Sequence, residues 1–269
     1  MPPRASQKSD FPYWLVAAVA IAVAGGMAIA ASDLYSQILG TVARGLWITI
    51  WVTVCAFALA SALGLGIALM ALSGSVVLRQ VARFYVEIIR GVPILVLLFW
   101  IAFAGVPAFV AAWNFVLTPL RDAGLAGELL VRDVSLLMRA VMALTIGYSA
   151  FIAEVFRAGI QSVDPGQIEA AKALGLSGFQ RFRLIVFPQA IRTILPPLGN
   201  DFVAMVKDSS LVSVLGVADI TQLGKIYAAG SFRFFETYTI VAYIYLLLTV
   251  GLSMALRGLE RRMRRSHER

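Results

Sequence analysis

The chain has 269 residues, of which one is cysteine, one is histidine and only 14% are charged. A single cysteine, Cys55, cannot close a disulfide within the chain, and neither Cys55 nor His267 has the like neighbours a metal site would need. With His267 close to the C-terminal end, no Ser/His/Asp or Cys/His set is available for nucleophilic catalysis. A phosphate-binding loop is missing too. The stretch 216–225 suggests one only superficially: its glycines, 216 and 224, stand eight positions apart instead of five, and Ile226 occupies the place of the required Ser or Thr. No catalytic residue, metal ligand or cofactor site is therefore expected, and nucleotide chemistry would have to come from another chain. There is no low-complexity linker and no internal repeat.

What the chain does have is apolar length. Hydrophobic residues make up 60% of it and the mean hydropathy is +0.84, whereas ordinary soluble domains carry about a quarter charged residues. The chain reads as an all-α integral membrane protein. Runs of about 20 apolar residues, enough to cross about 30 Å of hydrocarbon, fall at 14–31, 46–72, 92–112, 136–155, 194–216 and 239–256. The first admits two readings. Arg4 and Lys8 precede an apolar core, and Ala28, Ile29 and Ala30 form a passable cleavage site, as in a signal peptide. A retained span is preferred, because Asp10 weakens the basic region and the apolar run continues to Ala31. In the second run Ala58, Ala62 and Gly66 recur every four residues, a small-residue face that lets a neighbouring helix approach.

Orientation follows from Lys and Arg, which accumulate in cytoplasmic loops. With the amino terminus inside, sixteen fall in inside segments, among them Arg79, Arg83, Arg90, Arg157, Lys172, Arg181 and Arg183, and six fall outside: Arg44, Arg121, Arg132, Arg139, Lys225 and Arg233. Both termini and the polar island 164–188 are thereby assigned to the cytoplasm. The net charge of +8 then requires no nucleic acid; the cluster Arg261 to Arg265 on the final tail suits anionic membrane lipid. The outside loop 113–134 contains Pro119, Gly124 and Gly127 and has a length that would allow contact with a soluble delivery protein.

The island itself can be built from local physics. Asp164 is an N-cap, Pro165 occupies the first turn where no N–H is needed, and Gln167 stands where a side chain can bond back to the cap. Residues 168–174 continue the helix, and Gly175 ends it in a left-handed conformation. Ser177 caps a second helix, with Gln180 completing a capping box. Phe179, Phe182 and Val186 give that helix an apolar stripe while Arg181 and Arg183 face elsewhere, and Pro188 is expected to limit it.

Glu169-Ala170-Ala171, followed by Gly175, Ile185, Phe187 and Pro188, resembles the cytoplasmic loop signature of ABC importer permeases, with Phe187 where the general signature has Leu. The flanking segments QAIRTILPPLGN (189–200), KDSSLVS (207–213), EIIRGVPIL (87–95) and EVFRAG (154–159) resemble the polar amino acid branch, the histidine/glutamine/arginine type. The resemblance covers about 43–257. It implies a five-helix type I importer core preceded by an accessory segment, 1–42, and followed by a basic cytoplasmic tail, 258–269. It further implies a multi-pass subunit of the bacterial inner membrane, paired with a second permease as a homo- or heterodimer. Its other partners would be a cytoplasmic ABC ATPase dimer and a soluble substrate-binding protein, and its cargo a polar amino acid. The helix pair would be coupling helices: Glu169 would meet the ATPase electrostatically, Ala170 and Ala171 would allow close approach, and Gly175 would set the angle between the helices. Ser177, Phe179 and Arg181 belong to the same ATPase-facing set.

A second polar cluster lies within an apolar run. Counted from Ile194 at 1.5 Å per residue, Asn200 and Asp201 are about 10 Å deep, and Lys207 and Asp208 about 20 Å deep. Such groups are costly in hydrocarbon and should face the bundle interior or a water-filled path. The seven-residue spacing puts Asn200 and Lys207 on one face and Asp201 and Asp208 on another. Pro196, Pro197 and Gly199 suggest an irregular helix entrance. Lys207, Asp208 and Ser209 would either bind the ammonium and carboxylate of a substrate or form a structural charge network; both readings stand at this point. Glu154 and Arg157 pose the same choice between substrate contact and an intrahelical ion pair. A secondary transporter or channel driven by an ion gradient would fit the buried charges but gives the capped helix pair no purpose. A membrane-embedded enzyme lacks a nucleophile paired with a base.

Overall fold

The computed structural model describes residues 13–125 and 127–265, with side chains described to residue 260. Arg4, Lys8, Asp10, His267 and Arg269 lie outside the described residues, as do the side chains of the cluster Arg261 to Arg265. All the regular secondary structure of the described residues is helical. In order it forms α1 (Tyr13–Ala30), α2 (Asp33–Val42), α3 (Leu46–Ala71), α4 (Val76–Gly91), α5 (Ile94–Trp100), α6 (Val106–Val116), α7 (Thr118–Asp122), α8 (Leu136–Gln161), α9 (Pro165–Ala173), α10 (Gly178–Arg181), α11 (Phe187–Asp208), α12 (Ile220–Ser231) and α13 (Phe234–Arg265).

Among the described residues, five stretches are long and apolar enough to cross a membrane: Tyr13–Ala30, Asp33–Ala71, Ile94–Val116, Leu136–Gln161 and Phe234–Glu260. The sixth expected run, 194–216, does not qualify by composition. It is the end of α11 plus a 3-10 segment, Ser209–Leu215, and Asn200, Asp201, Lys207 and Asp208 lower its apolar character. The helix packs among α3, α8 and α13 and so remains a member of the expected bundle.

At the centre α3 packs along α8. The close seam is formed by Ala56, Ala60 and Gly64, all buried, not by Ala58, Ala62 and Gly66, which face outward. A side chain at 64 would come within 2.9 Å of the Ser149 carbonyl oxygen. Two interleaved stripes of small residues run along α3, and the one that α8 covers is the seam. Leu98, Leu144, Ile152, Met205 and Val212 complete this core.

Two prolines sit just beyond π-helical turns. Ile101–Gly105 precedes Pro107, and Phe182–Val186 precedes Pro188. In each, the N–H before the proline bonds five residues back, Val106 to Ile101 and Phe187 to Phe182. The widened turn accommodates the ring and the missing N–H, so Pro188 does not limit the second island helix; α10 runs through the π-turn into α11. Nor are Pro196 and Pro197 an irregular entrance, since both lie inside unbroken α11. Gly199 serves packing there: a side chain would meet Leu256 at 3.0 Å.

The accessory helix α1 docks on α13. Tyr243 donates a 2.7 Å hydrogen bond to the Ala22 carbonyl, and the Arg257 guanidinium lies 4.6 Å from the centre of the Trp14 ring. At the start of α8, buried Arg139 anchors the loop 113–134: its guanidinium donates to the carbonyls of Val134, Ala102 and Val131. Asn114 pins the same loop by bonding both the N–H and the carbonyl of Leu129.

Candidate functional site

The island 164–188 is a closed motif, capped at both of its helices. The Asp164 carboxylate accepts from the Gly166 N–H at 2.6 Å, capping α9. The helix ends with Leu176 N–H bonded to the Ala171 carbonyl at 3.1 Å and Gly175 N–H to Lys172 at 2.9 Å, the double bond of a Schellman motif. Gly175 has φ +75°, and no atom lies within 4 Å of where a side chain would start; the conformation, not space, calls for glycine. Ser177 and Gln180 form the expected capping box, with bonds of 2.8 and 3.3 Å. Gln167 does not bond back to its cap; its side-chain oxygen accepts from Gln189 at 2.6 Å, which fastens α9 to the start of α11. Beneath the pair, Val163, Val186, Ala190 and Ile194 form a small core against which Ile168 packs.

This arrangement sorts the residues selected by sequence. Glu169, Ala170, Gly175, Ser177 and Phe179 are exposed. Ala171 is not; it is 3% exposed, and its carbonyl also accepts the closing bond from the Leu176 N–H. Arg181 donates to the Leu176 carbonyl at 3.2 Å and so braces the turn. Of the expected stripe Val186 points into the small core, whereas Phe179 is 71% exposed, and Leu174, which sequence had absorbed into the helix, is 80% exposed.

The second site is a cavity of about 560 Å³ lined by the elbow between α4 and α5 and by α8 and α11. Val92 is extended, as the residue before a proline should be, and Pro93 opens α5. The elbow residues Gly91, Val92 and Pro93 form one wall, Arg90 stands at its edge, and Tyr148, Asp201 and Asp208 face them. The Tyr148 hydroxyl donates to Asp208 at 2.7 Å. One oxygen of Asp201 is buried with no hydrogen-bond partner, an acceptor that a ligand ammonium or guanidinium in the cavity would satisfy.

Of the five clustered residues on and after α11, the structure brings Asp201 and Asp208 together on this cavity. Asn200 and Lys207 are on the exposed face. Ser209 is fully buried and donates to the Val206 carbonyl at 2.7 Å, a local bond that occupies its hydroxyl. Sequence reasoning missed Tyr148; a phenol in the middle of an apolar span, which needs a polar partner when buried, was the available signal. Glu154 and Arg157 form the intrahelical ion pair, 2.6 Å, and Arg157 also donates to Gln161 at 2.6 Å. Both line a second, smaller cavity of about 380 Å³ at the C-terminal end of α8, together with Arg83, Glu87 and Arg90.

A bundle of this topology, with a capped helix pair displayed from one end and a polar cavity inside, is that of a type I importer permease. Residues 60–265 match the family of binding-protein-dependent transport system inner membrane components, and the chain belongs to that family. It is 35% identical over 223 residues to the probable amino-acid permease protein YxeN of Bacillus subtilis (strain 168), covering 83% of this chain and 91% of the relative. To the glutamine transport system permease protein GlnP of Escherichia coli (strain K12) it is 36% identical, covering 82% and 92%. Among solved structures, a chain of an amino acid ABC transporter with histidines superposes with a TM-score of 0.68 at 38% identity, over 85% of this chain and 95% of that one. The MetNI methionine ABC transporter in an inward-facing conformation shares the fold, with a TM-score of 0.63 at 19% identity over 86% and 99%. The family and fold favour an ATP-driven importer permease over a gradient-driven transporter or channel, and the chain is a transport subunit of the inner membrane.

Proposed function

We propose that this permease carries polar amino acids or related compounds, taking them from a soluble binding protein and moving them by alternating access driven by a cytoplasmic ABC ATPase dimer. The observation that carries the proposal is the exposed pair Leu174 and Phe179 on a motif fixed by three caps. Two large exposed apolar side chains on one capped helix pair mark a docking surface, and Glu169, exposed on the first of the two helices, supplies a charge for the partner. The ATPase-facing set is accordingly Glu169, Ala170, Leu174, Gly175, Ser177 and Phe179, with Arg181 bracing it. Segment 43–257 is the permease domain, 1–42 the accessory segment and 258–269 the basic tail. Both termini face the cytoplasm, which the charge asymmetry of the loops supports, and the pore is completed by a second permease.

Asp201, Asp208 and Tyr148 are the cargo-facing groups in this reading. The relatives' names support amino acids as the cargo, and the unpartnered Asp201 oxygen supports a substrate that carries a cationic group. The test is reconstitution into proteoliposomes with and without the cognate ATPase and binding protein, following L-glutamine, L-histidine and L-arginine. Uptake that requires ATP and both partners is expected; uptake without them would refute the importer mechanism.

A further inference from the structure

The two cavities described above touch at one residue. The larger holds Tyr148, Asp201 and Asp208 at the level of the α4–α5 elbow, and the smaller holds Arg83, Glu87, Glu154 and Arg157 toward the C-terminal end of α8. Among their lining residues Arg90 alone is common to both. It occupies the last turn of α4, one residue before the elbow, where a cation is also favoured by the helix dipole. Among the described residues its guanidinium makes no salt bridge within 4.0 Å of a carboxylate, although its charge acts on Glu154 at a longer range. It lies over the Phe151 ring, 5.4 Å from the centroid, and Phe151 borders the larger cavity only.

We propose that Arg90 and Phe151 form an inner seal between the two cavities, and that a carboxylate entering the larger cavity opens it by drawing the guanidinium off the ring. The inference rests on the importer reading above and adds the residue that separates the cargo site from the cytoplasmic exit. A guanidinium on an aromatic face is weakly held compared with one hydrogen-bonded bidentately to a carboxylate, so a substrate carboxylate outcompetes the ring. The charge layout suits such a hand-over. The larger cavity presents two carboxylates and Arg90, which suits the cationic end of a zwitterion at Asp201 and its carboxylate at Arg90. Beyond the seal, Arg83 and Arg157 carry the positive charge that would next receive the carboxylate, while Glu87 and Glu154 keep that cavity from trapping it.

The test reads access to the larger cavity directly. In the complete transporter, in inside-out vesicles, Cys55→Ser removes the native thiol and Ala204→Cys places a reporter on the cavity wall. A membrane-impermeant cationic methanethiosulfonate is then added from the cytoplasmic side. The parent should be modified slowly, and Phe151→Ala or Phe151→Leu at least tenfold faster. L-Histidine or L-arginine, whichever the complex takes up with ATP, should accelerate modification of the parent, and the matching amine without a carboxylate, histamine or agmatine, should not. Arg90→Gln should be modified rapidly with or without the amino acid, and Arg90→Lys should keep part of the response. Equal rates in the parent and both Phe151 variants would overturn the seal. Equal acceleration by the amine would overturn its opening by carboxylate, as would an uptake-competent amino acid that leaves the parent rate unchanged. Absence of ATP-driven uptake would count against the importer reading while leaving the rate comparison between the parent and the Phe151 variants intact.

Discussion

The Tyr148 hydroxyl and Asp208 are joined by a 2.7 Å hydrogen bond that spans 60 residues of sequence and ties the middle of α8 to the last residue of α11. It orients the Asp208 carboxylate across the cavity from the α4–α5 elbow, leaving Asp201 as the carboxylate with an open acceptor.

Tyr148→Phe keeps the ring and removes only this donor. A hydrogen bond to a charged group contributes about 1.5–3 kcal/mol, so ATP-driven uptake in proteoliposomes should fall by about tenfold or more. Recovery of the assembled complex should change little, because the ring still packs in the core. Asp201→Asn should weaken uptake of a cationic amino acid more than that of L-glutamine, since it removes the negative charge but retains an acceptor.

Gly175 is required by its backbone conformation. Non-glycine residues in the left-handed region cost about 1–2 kcal/mol, and asparagine tolerates it best. Gly175→Asn should keep ATPase recovery near the parent value, whereas Gly175→Ala should reduce it and Gly175→Val reduce it severalfold, with membrane insertion unchanged. Because no atom lies within 4 Å of the missing side chain, side-chain bulk alone cannot produce that order; equal recovery for Asn, Ala and Val would remove the cap from the docking mechanism.

The parts of this architecture that are local in sequence were legible in it. The caps at Asp164 and Ser177 follow from side chains within three residues of the groups they satisfy, the stop at Gly175 from its left-handed backbone conformation, and the apolar runs from length. What depends on the neighbouring helix was not legible. On α3 the small residues offer two equivalent faces, and only the position of α8 selects Ala56, Ala60 and Gly64. On α11 the heptad spacing paired Asp201 with Asp208 correctly, yet which pair faces the cavity depends on how the helix is rotated against α8. Pro188 reads as a stop until the π-turn before it supplies the extra residue that lets the helix continue, and Arg139 reads as a surface charge until its carbonyl partners are in place.

Gly159, at the end of the EVFRAG segment, is buried where α8 packs against α11. A side chain there would overlap Ile194 at Cγ1 and stand 2.9 Å from its Cδ1. Gly159→Ala should destabilise the fold by about 1–3 kcal/mol, the usual range for overpacking a filled core. Ile194→Ala, which leaves a void of its own, should partly relieve the clash, so that the double variant loses less than the two single losses combined. Thermal unfolding of the detergent-solubilised protein measures this; simple additivity would mean that the helices separate locally and that Ile194 is not the obstacle.

Phe179 and Glu169 separate docking from folding. Phe179 is 71% exposed, so Phe179→Ser should leave stability within about 0.5 kcal/mol of the parent, as for most surface substitutions. If its ring enters a groove on the ATPase, losing it should weaken association about tenfold, or about 1.4 kcal/mol, measured by titrating ATPase onto the immobilised permease. Glu169→Arg acts through charge instead. Its loss of affinity should be largest at low ionic strength and shrink as salt rises toward about 1 M, where the screening length falls to about 3 Å. Ala171→Leu is the internal control: Ala171 is buried, so that variant should lower stability first, and ATPase affinity only among molecules that no longer fold the turn. Should Phe179→Ser and Glu169→Arg both bind ATPase at the parent affinity, the exposed face of α9 and α10 is not the docking surface and the coupling must enter the bundle elsewhere.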